Sequence, residues 1–186
     1  MNVEPVIPPL SPAVEDFFGA AATSEDPLAM LIDWMADGRL QPSDLPDVVR
    51  TVWSAERPPS TKGVRKWVAL FRAAAYPVPA VPLTIYRGTT RGRRRGMAWT
   101  TDLDKAREFA DKCVTERGYR EAEVVAVVVP PAAVLCHVNE HGEAEIVVDP
   151  SVLPAVRRIE IHPAGAPDVV LPAERSFVKG RSSREV

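Results

Sequence analysis

The chain has few cysteines and no long hydrophobic run. Cys113 and Cys136 stand alone, without a CxxC pair or a Cys/His cluster, so the sequence supports neither a structural zinc site nor a disulfide-dense secreted fold. We expect both thiols to be buried and free. No segment reaches the roughly 18 apolar residues of a membrane-spanning helix, and the N-terminus lacks a signal-peptide pattern. A soluble cytoplasmic protein is the default expectation.

An excess of charge of one sign is also missing. The 186 residues carry 23 basic and 25 acidic side chains, for a formal net charge of −2. Bulk electrostatics therefore indicate neither nucleic acid nor an anionic membrane as a partner. His137, His141 and His162 lack the spacing of a metal-ligand set, so no metal is expected. The length and the 46% hydrophobic fraction suit one domain, with or without a small companion.

Residues 1–80 predict a helical region. Ser11-Pro12 and Asp26-Pro27 each supply an N-cap residue followed by proline at the first helical position. Apolar residues then recur at helical spacing in three or four segments, whose tryptophans we interpret as core. The proline-rich stretch 77–82 predicts a stiff connector and the domain boundary.

Residues 81–175 predict a second region made mostly of strands, and residues 176–186 a tail that frays. Strands are expected near 83–87, 121–129, 143–148, 156–161 and 168–171, with 121–129 buried on both faces. A short strand is expected to end at 99–101, and a turn followed by a strand entry is expected in 131–135. Arg87 shares the face of Leu83 and Ile85 at the end of the first strand. A guanidinium there must find an acidic partner or a ligand.

The stretch 89–101 contains a basic turn and ends in a pair of threonines, Thr100 and Thr101. Residues 89–96 hold four arginines, and we favour a solvated loop over a ligand contact. Thr101 fits the start of a capping box with Asp104, opening a helix. Thr100 precedes that cap, which leaves its hydroxyl without a structural role.

Two glutamates open a later strand. Alternation places Glu143 and Glu145 on one face, with Ala144 opposite. Carboxylates this close repel each other unless cations or hydrogen-bond donors stand nearby, so they indicate a site. An acidic strand edge facing solvent is the alternative.

These three elements together resemble the Arg–Ser–Glu (R-S-E) class of mono-ADP-ribosyltransferases. The series is Tyr86-Arg87-Gly88 on a first strand, Trp99-Thr100-Thr101 on a second, and Glu143-Ala144-Glu145 as the ExE motif of a later one. The resemblance spans roughly residues 81–162. It departs from the family at Thr100 and Asp102, which replace two serines. The N-terminal helices resemble leaders of uncharacterised actinobacterial and actinophage proteins.

The resemblance does not account for the N-terminal helices; for residues 81–175 it implies a split, mainly antiparallel β-sandwich. Together with the helical region predicted from the residues, this gives an α+β fold with an N-terminal helical layer against the sandwich. The resemblance also implies NAD as co-substrate, no metal, and transfer of ADP-ribose to a protein side chain, with arginine as the expected acceptor. Glu145 would stabilise the oxocarbenium-like ion, and Glu143 would position or deprotonate the acceptor. The expected NAD contacts come from residues of the first two motifs: Tyr86, Arg87, Gly88, Trp99, Thr100 and Thr101.

Several alternatives stay open at this point. The same residues would serve an NAD glycohydrolase with water as acceptor, and a non-catalytic protein-binding module would keep only the fold. Tyr86 and Trp99 suit core packing as well as nicotinamide contact. The segment 116–120 is either a cofactor-covering loop or an ordinary helix-to-strand connection, and we favour the latter. The expected location is the cytoplasm, or the host cytoplasm for a phage or effector protein.

Overall fold

The computed structural model describes residues 9–55, 63–138 and 144–163. These residues form a mixed α+β fold, as predicted, with five α-helices and six strands. The helices are α1 (Pro12–Ala21), α2 (Pro27–Ala36), α3 (Leu45–Ala55), α4 (Val64–Ala74) and α5 (Leu103–Thr115). The strands are β1 (Leu83–Thr89), β2 (Ala98–Thr100), β3 (Glu121–Val129), β4 (Val134–Val138), β5 (Glu145–Val148) and β6 (Arg157–Pro163). The predicted strand at 168–171 and the tail lie outside the described residues.

The first two helices begin where the sequence predicted. The Ser11 hydroxyl accepts from the Val14 N–H, and the Asp26 carboxylate accepts from the Ala29 N–H, each with proline at the start of the helix. Gly38, with φ +70°, follows the end of α2 in the left-handed conformation that glycine adopts without strain. Local capping chemistry therefore sets these helix boundaries.

The strands form one antiparallel sheet in the order β4-β5-β2-β1-β3-β6. This differs from the sandwich of two sheets that was expected. The halves β4-β5-β2 and β1-β3-β6 are joined through a single residue pair, Tyr86 with Thr100. The basic turn separates β1 from β2, and β2 is only three residues long. Few residues of β2 are therefore available to pair with β1.

Each half of the sheet is covered on one face by helices. Buried residues of α1 to α4 share a hydrophobic core with residues of the sheet half β4-β5-β2, including Cys136, Val138 and Val147. The helix α5 covers β1 and β3 through Ala106 and Ala110. The N-terminal helices and the sheet thus bury apolar surface against each other, which stabilises both regions together.

Two local expectations need correction. The N-cap of α5 is Asp102, not Thr101: its carboxylate accepts from the N–H groups of Asp104 and Lys105. A carboxylate at this position also interacts favourably with the helix dipole. The strand β3 is not buried on both faces along its whole length, since Val128 is 58% exposed. Cys113 and Cys136 are buried and are not joined in a disulfide, as expected.

Among the residues that the structure describes, no helix is long and apolar enough to span a membrane. In the same ranges, no group of three or more His, Cys, Asp or Glu side chains is arranged to hold a metal ion.

The edge strand β6 is tied to α5 by an ion pair that gives a testable pH dependence. Arg107 donates from Nε and Nη2 to the carboxylate of Glu160, whose pKa this bonding holds below its usual value. Because the pKa of Glu160 is lower in the folded protein, its ionised carboxylate stabilises the fold at pH values above its pKa in the unfolded chain. This stabilisation is lost as the pH falls through the pKa of the folded protein. We expect Glu160→Gln to cost about 1 kcal/mol at pH 7, allowing for solvent screening, and less at pH 3. Urea midpoints at the two pH values measure this, and equal deficits at both would contradict it.

Candidate functional site

Three predicted site residues lie on neighbouring strands. Glu145 at the start of β5 is paired with Thr100 of β2, and Thr100 is paired with Tyr86 of β1. Directly paired residues of antiparallel strands point to the same face of the sheet. Arg87 follows Tyr86 on β1. The structure therefore brings the three motifs together at the junction between the two halves of the sheet.

The Glu145 carboxylate has a hydrogen-bond donor from the helical layer. Nε1 of Trp53 on α3 donates to Oε1 of Glu145 at 3.2 Å, and Glu145 remains half-buried. Ala144 has φ +44°, so it is left-handed rather than extended. The strand alternation that was expected to put both glutamates on one face therefore does not extend through Ala144. Glu143 lies outside the described residues.

The two threonines have backbone roles. Thr100 is 3% exposed, and its hydroxyl accepts from the Asp102 N–H at 3.0 Å. The Thr100 hydroxyl therefore does have a structural role, contrary to the expectation from the sequence. Thr101 is exposed, and its N–H donates to the carbonyl of Ala144 at 3.4 Å. Both threonines help hold the entry of β5 against the end of β2.

Arg87 carries a desolvated guanidinium. Its Nη1 donates to the carbonyl of Ala98, while its Nε is buried without a hydrogen-bond partner among the described residues. Burial lowers the pKa of Arg87 to about 10, although the neighbouring Cys113 and Glu145 oppose the shift. The side chain is still a cation at neutral pH. A half-buried cation with an unused donor is suited to an anionic ligand.

Two glycines make room around Arg87. A Cβ on Gly88 would overlap the backbone of α5 at Ala106 and Ala110, so the helix packs directly on this strand residue. Gly88 therefore has a packing reason to be glycine, separate from the expected nicotinamide contact. A Cβ on Gly96 would overlap the guanidinium of Arg87. Gly96 thus creates the space that the guanidinium occupies.

The contact at Gly96 gives a prediction about binding. We expect Gly96→Ala to displace the Arg87 guanidinium by about 1 Å and to weaken NAD binding at least tenfold, because misplacement on this scale is costly at a binding site. Only the end of a long side chain has to move, so the thermal midpoint should change little. Calorimetric titration with NAD measures the affinity. Gly92→Ala is the matched control because nothing lies within 4 Å of a Cβ there, and equal NAD affinity in both variants would contradict the prediction.

A cleft of about 940 Å³ opens beside these residues. It is lined by six arginines: Arg87, Arg91, Arg93, Arg94, Arg95 and Arg117. The described residues that line it include no acidic side chain. In a chain of net charge −2, this is a strong local concentration of positive charge.

The arginines of the turn divide into two kinds. Arg94 makes a bidentate ion pair with the buried Glu123, both bonds at 2.6 Å. Arg95 donates to backbone carbonyls of the segment 150–154. Arg91 and Arg93 are exposed and make no ion pair within the described ranges. The expectation of a solvated loop therefore holds for Arg91 and Arg93, while Arg94 and Arg95 anchor the turn.

Tyr86 and Trp99, the two aromatic residues expected near nicotinamide, both pack against apolar side chains. Tyr86 packs on the cluster beneath α5, and Trp99 is 3% exposed in the core on the opposite face. Trp99 does not line the cleft, so its position favours the packing alternative. In the segment 116–120, which follows the end of α5 at Thr115, Gly118 has φ +69° and Tyr119 lines the cleft. This segment is a helix-to-strand connection that also forms part of the cleft wall.

Trp53 is the site residue that sequence reasoning missed. It was interpreted as core, and its ring is indeed buried, but its N–H reaches Glu145 and its side chain also lines the cleft. The two residues are 92 positions apart, and no local pattern signals that contact.

Comparisons of this chain with protein-family models, with curated proteins and with solved structures gave no significant match.

Proposed function

We propose that this protein is an NAD-dependent mono-ADP-ribosyltransferase, a glycosyltransferase that moves ADP-ribose from NAD to a protein side chain and releases nicotinamide. One observation carries the proposal. The carboxylate of Glu145 lies across from Thr100 and close enough to Arg87 to act on its pKa, and Arg87 itself lines a cleft rich in arginines. These are the residue types, in the strand contexts, that the R-S-E resemblance implies.

The chemistry needs a carboxylate at the reacting ribose. The bond between the ribose C1′ and the nicotinamide nitrogen breaks, nicotinamide leaves as a neutral molecule, and positive charge develops on the ribose. A carboxylate at Glu145 stabilises that charge, which is larger in the transition state than in bound NAD, and so raises the rate. The acceptor then bonds to C1′ and loses a proton. Glu143, the expected residue for that step, lies outside the described residues.

The charge of the cleft suits the rest of NAD. The pyrophosphate is anionic, and guanidinium groups bind phosphate oxygens through paired N–H donors. Arg87 supplies a buried N–H donor, and Arg91 and Arg93 supply exposed charge along the cleft wall. A volume of about 940 Å³ is at the upper end of those that hold compact organic ligands, which leaves room for a dinucleotide.

The first test is nicotinamide release from NAD by the purified protein, in parallel with labelled NAD in a bacterial lysate. Transferase activity should place label on a discrete protein band. Release without label would indicate NAD hydrolysis instead. In the same preparation, NAD at about 100 times its Kd should stabilise the fold by about 2.7 kcal/mol, and so raise the thermal midpoint by several degrees. If the protein neither releases nicotinamide nor shows a midpoint shift with NAD, the proposal is rejected and a protein-binding module is favoured.

A further inference from the structure

We propose that Trp53 is a positioning residue for Glu145, so that the N-terminal helical layer holds the carboxylate in its working orientation. The proposal rests on the proposed function of Glu145. The contact is the 3.2 Å hydrogen bond from the indole Nε1 to Oε1 of Glu145. A glutamate has three side-chain torsions, the last of them broad, so an unanchored carboxylate samples many orientations.

The donor itself is rigidly held. Trp53 is 4% exposed, and its ring makes edge-to-face contacts with Trp67 at 5.0 Å and with Phe71 at 5.2 Å. Both contacting residues belong to α4. A tryptophan fixed in this way presents its N–H in one direction. The cost of ordering the carboxylate is thus met during folding, before any substrate binds.

Burial of the indole does not by itself account for this bond. Trp67 lies in the same aromatic cluster, is fully buried, and its Nε1 has no hydrogen-bond partner within the described ranges. The layer therefore tolerates a buried indole N–H without a partner. Trp53 differs in that it lines the cleft and its N–H points across the interface to the half-buried carboxylate of Glu145. That direction is the feature that positioning requires.

The experiment has a part that needs no activity. In a nitrogen–proton spectrum, the four tryptophans give four indole signals, and the signal lost in Trp53→Phe identifies Trp53. Glu145→Ala removes the acceptor without touching the ring, so we expect the Trp53 signal to shift far more than the other three. An unmoved Trp53 signal would overturn the proposal, whatever the protein catalyses.

The second part separates positioning from packing. We expect Trp53→Phe to lower kcat for nicotinamide release about tenfold or more and to leave KM for NAD within about twofold, because the orientation of the carboxylate acts on the transition state. Trp34→Phe is the matched control: Trp34 is another buried tryptophan of the helical layer, but its ring contacts Phe17 rather than Trp53, so the change leaves the donor to Glu145 in place. Equal kcat loss in both variants would overturn positioning. If the wild-type protein releases no nicotinamide while the spectrum shows the bond, the proposed function fails and the catalytic role of Trp53 fails with it.

Discussion

Substitution of Glu145 by glutamine is expected to reduce nicotinamide release about 1,000-fold. The amide keeps the shape of the side chain and can still accept from Trp53, but it carries no negative charge. Loss of one fixed electrostatic partner of a developing charge typically costs a factor of about 10² to 10³, and here the partner is a full charge. The free-energy barrier would rise by about 4 kcal/mol. Steady-state release of nicotinamide measures the effect.

The control for this prediction is Glu121→Gln. Glu121 is exposed at the start of β3, so the same chemical change there should leave release unchanged. Both variants should keep the wild-type thermal midpoint within a few degrees. If Glu145→Gln retains full release, the assignment of Glu145 is wrong. If Glu145→Gln loses nicotinamide release and its thermal midpoint also falls by several degrees, the main role of the carboxylate is to stabilise the fold.

Substitution of Gly88 by alanine is expected to destabilise the protein by about 3 kcal/mol or more. The added methyl group would overlap the Ala106 carbonyl and the Ala110 N–H, which belong to the backbone of α5. A backbone cannot rotate away as a side chain can, so the helix itself must move off β1. For a chain of 186 residues, this corresponds to a fall of roughly 10 °C in the thermal midpoint.

Gly92→Ala is again the control, because a methyl group there meets nothing within 4 Å. Its midpoint should stay close to that of the wild type. A Gly88→Ala protein of wild-type stability would mean that α5 does not pack directly on β1. Any loss of NAD binding in that variant must be judged at a temperature where it is folded, since unfolding alone removes the site.

Side chains of the helical layer contact the strand region across the domain boundary that the sequence predicts at residue 80. Arg72 of α4 pairs with the buried Asp149 at 2.6 Å, and Trp53 of α3 bonds to Glu145. Both contacts reach the segment that contains β5. The N-terminal helices therefore support the candidate site as well as covering the sheet.

Local patterns in the sequence determined much of the secondary structure. The Ser-Pro and Asp-Pro pairs determine where α1 and α2 begin, because capping and the fixed φ of proline act within one turn. The alternation from Leu83 places β1, and the motif order correctly predicted that Arg87, Thr100 and Glu145 belong to separate strands. These features depend on residues a few positions apart.

Only the tertiary structure decided how those elements meet. Strand order in the sheet, the single residue pair between its halves, and the bond from Trp53 to Glu145 all join distant parts of the chain. The shift of the α5 cap to Asp102 and the left-handed Ala144 were missed, because two adjacent capping residues compete and neighbouring strands fix the outcome. Long-range packing gives no periodic signal in the sequence. For that reason the motifs could be predicted, while the arginine-lined cleft and the tryptophan beside it could not.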